Sequence, residues 1–459
     1  MKKINVLLLL ALLGVACASL YSDVQIIPLT VTPANIERGT DIASMIRKSD
    51  LVRAVSLAPV IDQKQNQSAT ELAAIGKAEL IAGRYDDARR HLRAALQLEP
   101  FRSTYALIAW DLSQLEYMAN NYEASLEWAH IASEHGVVVR RWHLDYLAAM
   151  SHVNVYQASG PRSTWVPMRA SHPDVPRIEL KINGTKNTWG IIDSGAVMCI
   201  VSENFAISTP VRTLGDFRGT FSGLLGEPIP VRFGMLQTLQ FGEITLTNVP
   251  VAVMPDDKMK FLVSGKKEFR IDFLIGANLL KEFKTEIDFR RNAVTFTHLT
   301  SADKHPVADQ NLYIDGFRPV VRGAVNRHGW FLFVLDTGSE VTFLNEKQID
   351  SLPIQLLAPK VHNAMLQGLG GTQKHGPKVE NVEIGLDRWS GIFHNLPMYE
   401  SLEAEKTSGI IGENFLRNFV VTIDYGKMKV ELNPIGVWSG PGISPDNATA
   451  PGVRPVATP

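Results

Sequence analysis

A hexapeptide that occurs twice constrains this chain more than any other feature. Residues 334–339 read Val-Leu-Asp-Thr-Gly-Ser, and residues 191–196 read Ile-Ile-Asp-Ser-Gly-Ala. In each, two aliphatic residues place an Asp at the end of a buried strand. The next residue carries a hydroxyl for local hydrogen bonding, and Gly permits a tight turn and close backbone approach. Alone, either copy reads as a capped turn. Two copies whose acids, Asp193 and Asp336, stand 143 positions apart point to a duplicated module with one carboxylate per copy.

The match extends beyond the hexapeptide. With the acids superposed, Asn183, Val201 and Glu203 fall opposite Asn326, Leu344 and Glu346. Downstream, residues 247–251 correspond to 394–398, 273–280 to 409–416, and 286–289 to 422–425. Ordered matches with loop-sized drift are what duplication leaves. Short β-branched and aromatic runs broken by Gly, Pro and Asn predict an all-β, barrel-like module in each copy. If the two turns meet, Asp193 and Asp336 would face each other. Like charges that close cannot both ionise, so one proton would be shared. Asp288 and Asp424 also recur at equivalent places and read as turn or surface acids.

Composition sets wider bounds. An apolar fraction of 45%, a charged fraction of 20% and a net charge of −1 fit an ordinary folded protein and give no nucleic-acid signature. The twelve histidines show no ligand spacing, so neither metal nor cofactor is expected. Lys2 and Lys3 precede an almost wholly apolar run at 4–16, the layout of an export signal. Residues 13–17, Leu-Gly-Val-Ala-Cys, resemble a bacterial lipobox that would leave Cys17 as a lipidated N-terminus. Cleavage after Ala18 also fits, as small-x-small processing. Either route implies export to a bacterial periplasm, and the first adds a lipid anchor to the outer membrane. Cys199 is the only other cysteine and reads as a buried structural thiol.

The expected order is a signal at 1–18, a lead-in at 19–65 with a short helix over 41–57, and a helical region at 66–158. Two β modules follow at 170–305 and 306–435, then a Pro/Gly-rich tail at 436–459. Residues 159–175, rich in Pro, Ser and Gly, read as the boundary before the first β module. Helices are predicted over 69–81, 88–98 and 143–157, with a turn at 83–86. Leu72, Ile75, Gly76, Tyr85, Ala88, Leu92, Ala95 and Pro100 resemble a tetratricopeptide repeat. A weaker second copy has Tyr122, Ala124, Trp128 and Ile131. That resemblance implies a surface for a protein partner.

The paired Asp-Ser/Thr-Gly turns, each followed by an aliphatic-aliphatic-Gly ending in Gly276 or Gly412, resemble the retropepsin-like bacterial aspartyl proteases. The resemblance implies a tetratricopeptide-like all-α region followed by two all-β retropepsin-like barrels forming a bilobed pseudo-dimer. It implies an exported aspartic endopeptidase with Asp193 and Asp336 as the catalytic pair and a polypeptide as substrate. Ser194, Gly195, Thr337 and Gly338 would support the catalytic loops, with Gly276 and Gly412 behind them. Gly-rich flap hairpins match Gly219, Thr220 and Gly223 in the first copy and Gly368, Gly370 and Gly371 in the second. A monomer is the expected state. The alternatives are an inactive protease-like scaffold and a protease assembled only between two chains of a homodimer.

Overall fold

The helical part of the chain starts and stops where local chemistry dictates. The structure, a computed structural model, describes residues 15–16, 24–31, 41–63, 66–98, 102–169, 175–223, 226–263, 267–354, 364–367, 373–399 and 407–435. Helices α1 (Ile42–Arg47) and α2 (Leu51–Asp62) are separated by Ser49, whose φ of 62° ends the first. Helix α3 (Ala69–Ile81) opens with a capping box. Ser68 Oγ accepts from the Glu71 N–H at 3.2 Å, and the Glu71 carboxylate accepts from the Ser68 N–H at 3.0 Å. Gly83, at φ +75°, turns the chain into α4 (Tyr85–Leu98), which takes in Tyr85 and Asp86 from the expected turn. Gly76 lets α4 come close, since a Cβ there would lie 2.7 Å from Leu92 Cγ.

Helices α5 (Arg102–Met118), α6 (Tyr122–Glu134) and α7 (Arg141–Met150) complete this all-α region. The helix expected over 143–157 stops at Met150, and Gln157–Ser159 instead joins a sheet by pairing with residues 245–247. No helix among the described residues is long and apolar enough to cross a membrane. Cys17 and the tail at 436–459 lie outside the described residues, as does nearly all of the expected signal.

Much of the expected lead-in is built into the fold. The strand Gln25–Pro28 pairs antiparallel with Trp389–Phe393. Helices α1 and α2 share a buried cluster with α3 and with Tyr313, Val320 and Leu332. The stretch 159–175, expected as a boundary, likewise contains the strand Ser163–Arg169, whose exposed and buried residues alternate.

A closed β-barrel follows the helices. Arg177–Ile182 pairs with Lys186–Ile192, which runs parallel to Phe273–Ile275. That strand meets Ile200–Ser202, then Ile244–Met254 and Pro228–Phe241. The ring closes where Leu239 and Gln240 return to Ile182 and Lys181. Residues 312–434 repeat much of this pairing order. Arg318–Val325 pairs with His328–Leu335, which runs parallel to Gly409–Ile411, and this strand meets Phe343–Asn345. Asn183 and Asn326 mark the equivalence: both sit at positive φ (48° and 47°) after the first strand of their sets. Each accepts a backbone N–H through Oδ1 (from Thr238 at 3.0 Å, from Glu383 at 2.9 Å) and donates Nδ2 to a proline carbonyl (Pro210 at 2.9 Å, Pro353 at 3.0 Å).

The two β regions share a sheet. Phe283–Asp288 pairs antiparallel with Phe419–Asp424 so that Glu286 faces Thr422, the residue matched to it in sequence. Equivalent residues facing each other mark a local two-fold axis. Asp288 and Asp424 are both 5% exposed. They brace their own turns: Asp288 accepts the Arg291 N–H, and Asp424 accepts those of Gly426 and Lys427, all at 3.0 Å. They are buried turn acids rather than surface ones.

A polar clamp fastens the helices to the first β region. Asn120 Nδ2 donates to Glu282 Oε1 at 2.8 Å, and Lys281 Nζ donates to Asn120 Oδ1 at 2.7 Å. Burial would raise the Glu282 carboxyl, yet Lys281 and Lys304 hold it down to about 2, so the cluster stays ionised and paired.

Candidate active site

Each acid loop is built by the same local scheme. Asp193 ends the strand Lys186–Ile192 and donates its N–H to the Ile275 carbonyl at 3.0 Å. Asp336 ends His328–Leu335 and donates to Ile411, also at 3.0 Å. The turn then doubles back: Ala196 N–H reaches the Asp193 carbonyl at 3.3 Å, and Ser339 N–H reaches that of Asp336 at 3.2 Å. Ala277 and Glu413 donate to the carbonyls of Ala196 and Ser339 at 2.7 and 2.8 Å, tying the following short helices to the turns.

Gly276 and Gly412 do what their position in sequence suggests. A Cβ on Gly276 would stand 2.3 Å from the Met198 carbonyl carbon, and one on Gly412 2.7 Å from that of Val341. Only glycine lets the strand pass this closely behind the loop. Asn278 and Asn414 add a contact that sequence reasoning missed. Their Oδ1 atoms accept the N–H of Cys199 at 2.7 Å and of Thr342 at 2.8 Å. Their recurrence in the downstream match, two residues after each backing glycine, was the available signal.

The two loops, distant in sequence, meet. Ser194 Oγ donates to the Leu335 carbonyl and Thr337 Oγ1 to the Ile192 carbonyl, each at 2.7 Å. Reciprocally, Ser194 N–H donates to Thr337 Oγ1 and Thr337 N–H to Ser194 Oγ, each at 3.1 Å. The hydroxyls expected to serve their own turns therefore bridge to the opposite one. A Cβ on Gly195 would lie 2.6 Å from Asp336 Cγ, and one on Gly338 2.6 Å from Asp193 Cγ. Each glycine makes room for the other loop's acid.

Both carboxyls are fully buried. Asp193 Oδ1 accepts the Ala196 N–H and Asp336 Oδ1 accepts the Gly338 N–H, both at 2.9 Å. Neither Oδ2 has a hydrogen-bond partner among the described residues. Burial, then the neighbouring Asp336 charge, pushes Asp193 well above the usual carboxylate range. Burial lifts Asp336 to about 6, against the pull of the Gly338 and Ser339 N–H groups and the Arg318 charge. A pair placed this way binds one proton between two oxygens more readily than it loses both.

The remaining candidates are arranged as follows. Gly219 and Thr220 lie on the strand Gly219–Ser222, which pairs with residues 228–231, and Gly223 begins the connecting turn. In the second β region Ala364–Gln367 pairs with Gln373–Gly376. Gly368, Gly370 and Gly371 lie between these strands, outside the described residues. Cys199 is buried, its thiol pushed up to about 12 by burial, and its Sγ accepts the Gly276 N–H at 3.4 Å.

Residues 177–275 thus form a closed six-strand ring, and the strand that leads into Gly276 passes close behind the Asp-Ser-Gly loop. The aspartyl protease family model matches residues 178–279. Among solved structures, a retropepsin-like aspartic protease from Rickettsia conorii is 14% identical, with 32% of this chain and 97% of that chain covered and a TM-score of 0.20. An aspartic proteinase from Irpex lacteus is 10% identical, with 59% and 97% covered and a TM-score of 0.34. A search of curated proteins found no match.

Proposed function

We propose that this chain is an aspartic endopeptidase in which Asp193 and Asp336, one from each of two retropepsin-like modules, act as a single acid–base pair. The observation that carries the reading is the reciprocal seating of the two buried acids, each over the other loop's glycine. With one proton on the pair, the ionised carboxylate takes a proton from water as the water oxygen adds to the peptide carbonyl carbon. The protonated carboxyl gives its proton to the carbonyl oxygen. Collapse of the tetrahedral adduct breaks the C–N bond: the protonated carboxyl gives its proton to the departing amine while the other carboxylate takes one from an adduct hydroxyl, which leaves one proton on the pair again. The pair acts as a unit, so neither acid is assigned one role. The hairpins at 219–231 and 364–376 would hold an extended substrate backbone.

Asp193→Asn and Asp336→Asn should each reduce cleavage of an unfolded polypeptide, followed by mass spectrometry, to background while circular dichroism stays unchanged. Full activity in either folded variant would overturn the shared pair. The helical region, read as a degenerate tetratricopeptide pair, would present a surface to a protein partner. Export with lipidation at Cys17 remains part of the proposal. Lipid incorporation that persists unchanged in Cys17→Ser would remove the lipid from it.

A further inference from the structure

Helix α7 touches the first substrate-side hairpin with an aromatic face. Trp142 stacks on Phe233 with ring centroids 5.6 Å apart and planes 19° from parallel, and meets Phe221 edge-on at 6.4 Å. Tyr146, one turn on, approaches Phe233 at 5.0 Å, and Phe217 stacks on it at 5.6 Å. Phe221 lies on the strand Gly219–Ser222 and Phe233 on Pro228–Phe241, two residues past the last hairpin pair, so α7 touches the hairpin through Phe221 and its base through Phe233. Gly219 shows how close the contact is. A Cβ there would stand 2.8 Å from Phe233 Cζ and 3.3 Å from Trp142 Cδ2.

The other face of α7 is anchored. His143, next to Trp142, meets Trp110 of α5 at 5.8 Å and Phe317 of the second β region at 6.1 Å. Tyr117 of α5 packs edge-on against Phe317 at 4.7 Å. Helix α7 is thus wedged between the hairpin on one side and α5 with the second β region on the other. The Trp142 indole N–H is buried and has no hydrogen-bond partner among the described residues. The ring serves through shape and stacking, which a phenyl ring would partly reproduce.

We infer that Trp142 is a positioning residue for the peptide-binding site, fixing the paired strands 219–222 and 228–231 from outside either β region. This rests on the reading of the hairpins as substrate-holding elements. Gly219 in this arrangement is a packing glycine, needed for the aromatic contact. The helical region would then set how tightly an extended peptide is held, acting on it through this hairpin.

The test compares the full chain with Trp142→Ala and Trp142→Phe. Trp142→Ala should raise KM for a peptide substrate by about tenfold, the scale expected for a small misplacement of binding groups, with kcat changed far less. Trp142→Phe should recover most of the loss. A merely structural role would lower the active fraction, and so kcat, at constant KM. In hydrogen exchange without substrate, the amides of 219–222, Ile229 and Val231 should exchange faster in Trp142→Ala, while those at 244–254 keep their protection. Unchanged KM with an active pair, or unchanged exchange in the hairpin, would overturn the inference. If the wild type cleaves nothing, the protease reading falls, and the exchange comparison still decides whether Trp142 fixes the hairpin.

Discussion

The loop around Asp193 and the loop around Asp336 make the same backbone hydrogen bonds and the same exchange of hydroxyl bridges, yet what fills the space behind them differs. In the first β region the N–H of the backing glycine, Gly276, is received by Cys199 Sγ; in the second, that of Gly412 is received by Thr342 Oγ1 at 3.0 Å. Ala196 stands where the second loop has Ser339, whose hydroxyl donates to the Val341 carbonyl at 3.0 Å. Backbone approach and the two-fold exchange of hydrogen bonds leave almost no freedom. The acceptor behind the loop needs only the right size and a lone pair. Electrostatically the halves also part: Arg318 draws Asp336 downward, while the Asp336 charge adds to the rise of Asp193.

The sharpest way to break this comparison is to remove one acid. Asparagine at either position should cost about a thousandfold or more in cleavage, the upper range for a positioned acid or base. It should also stabilise the fold at neutral pH. The folded state holds these protons more tightly than the unfolded chain does. Stability is therefore complete below the unfolded value of 3.8 and is lost as pH rises through the folded one, about 6 for Asp336. Melting temperatures of Asp336→Asn and wild type should be close at pH 4 and separate at pH 7, with the variant higher. A wild type that gains on the variant between those values would contradict the assignment.

Next in size are Gly195→Ala and Gly338→Ala. Each new methyl would collide with the opposite carboxyl, so each should abolish cleavage and cost about 1–3 kcal/mol in denaturant unfolding. If the halves are equivalent at the backbone, the two costs should agree.

Ser194→Ala and Thr337→Val probe the bridges. Each removes one donated and one accepted hydrogen bond and should cost about 2 kcal/mol. The two variants remove different bonds, so a double variant that departs from the sum would show that the bridges support each other across the loops. Strict additivity would show that each bridge stands alone.

The smallest effect is expected from Cys199→Thr, which gives the first loop the second loop's acceptor. Stability should change by less than about 1.5 kcal/mol, as for other near-isosteric core exchanges. The native thiol should resist alkylation until the chain unfolds.

Much of this was legible beforehand because residues that recur in order at matched spacing carry geometry with them. Two acids, two asparagines and two backing glycines recur in order, and a residue needed twice is hard to mistake for chance. The bounds of α3 were readable from Ser68, Glu71 and the periodicity between them. What the sequence hid were partners chosen across the fold. Ser194 and Thr337 look like local caps because their immediate neighbours are all that spacing displays. The strand Ser163–Arg169 was masked by Pro167 and its Gly- and Ser-rich surroundings, although alternate residues face the core. Trp142 carried no signal at all, being one of two aromatics on a short helix whose partner Phe233 lies far along the chain.

The reciprocal bridges span 143 positions, which has a consequence for the order of assembly. A chain folding from its N-terminal end can complete the first ring while Asp336 is still in unstructured polypeptide. Contacts of such long sequence separation close late. Until then Asp193 lacks the opposite loop, including the Gly338 backbone that packs over its carboxyl in the finished fold. Chemistry that needs both acids, as proposed above, would stay switched off until the last strands dock.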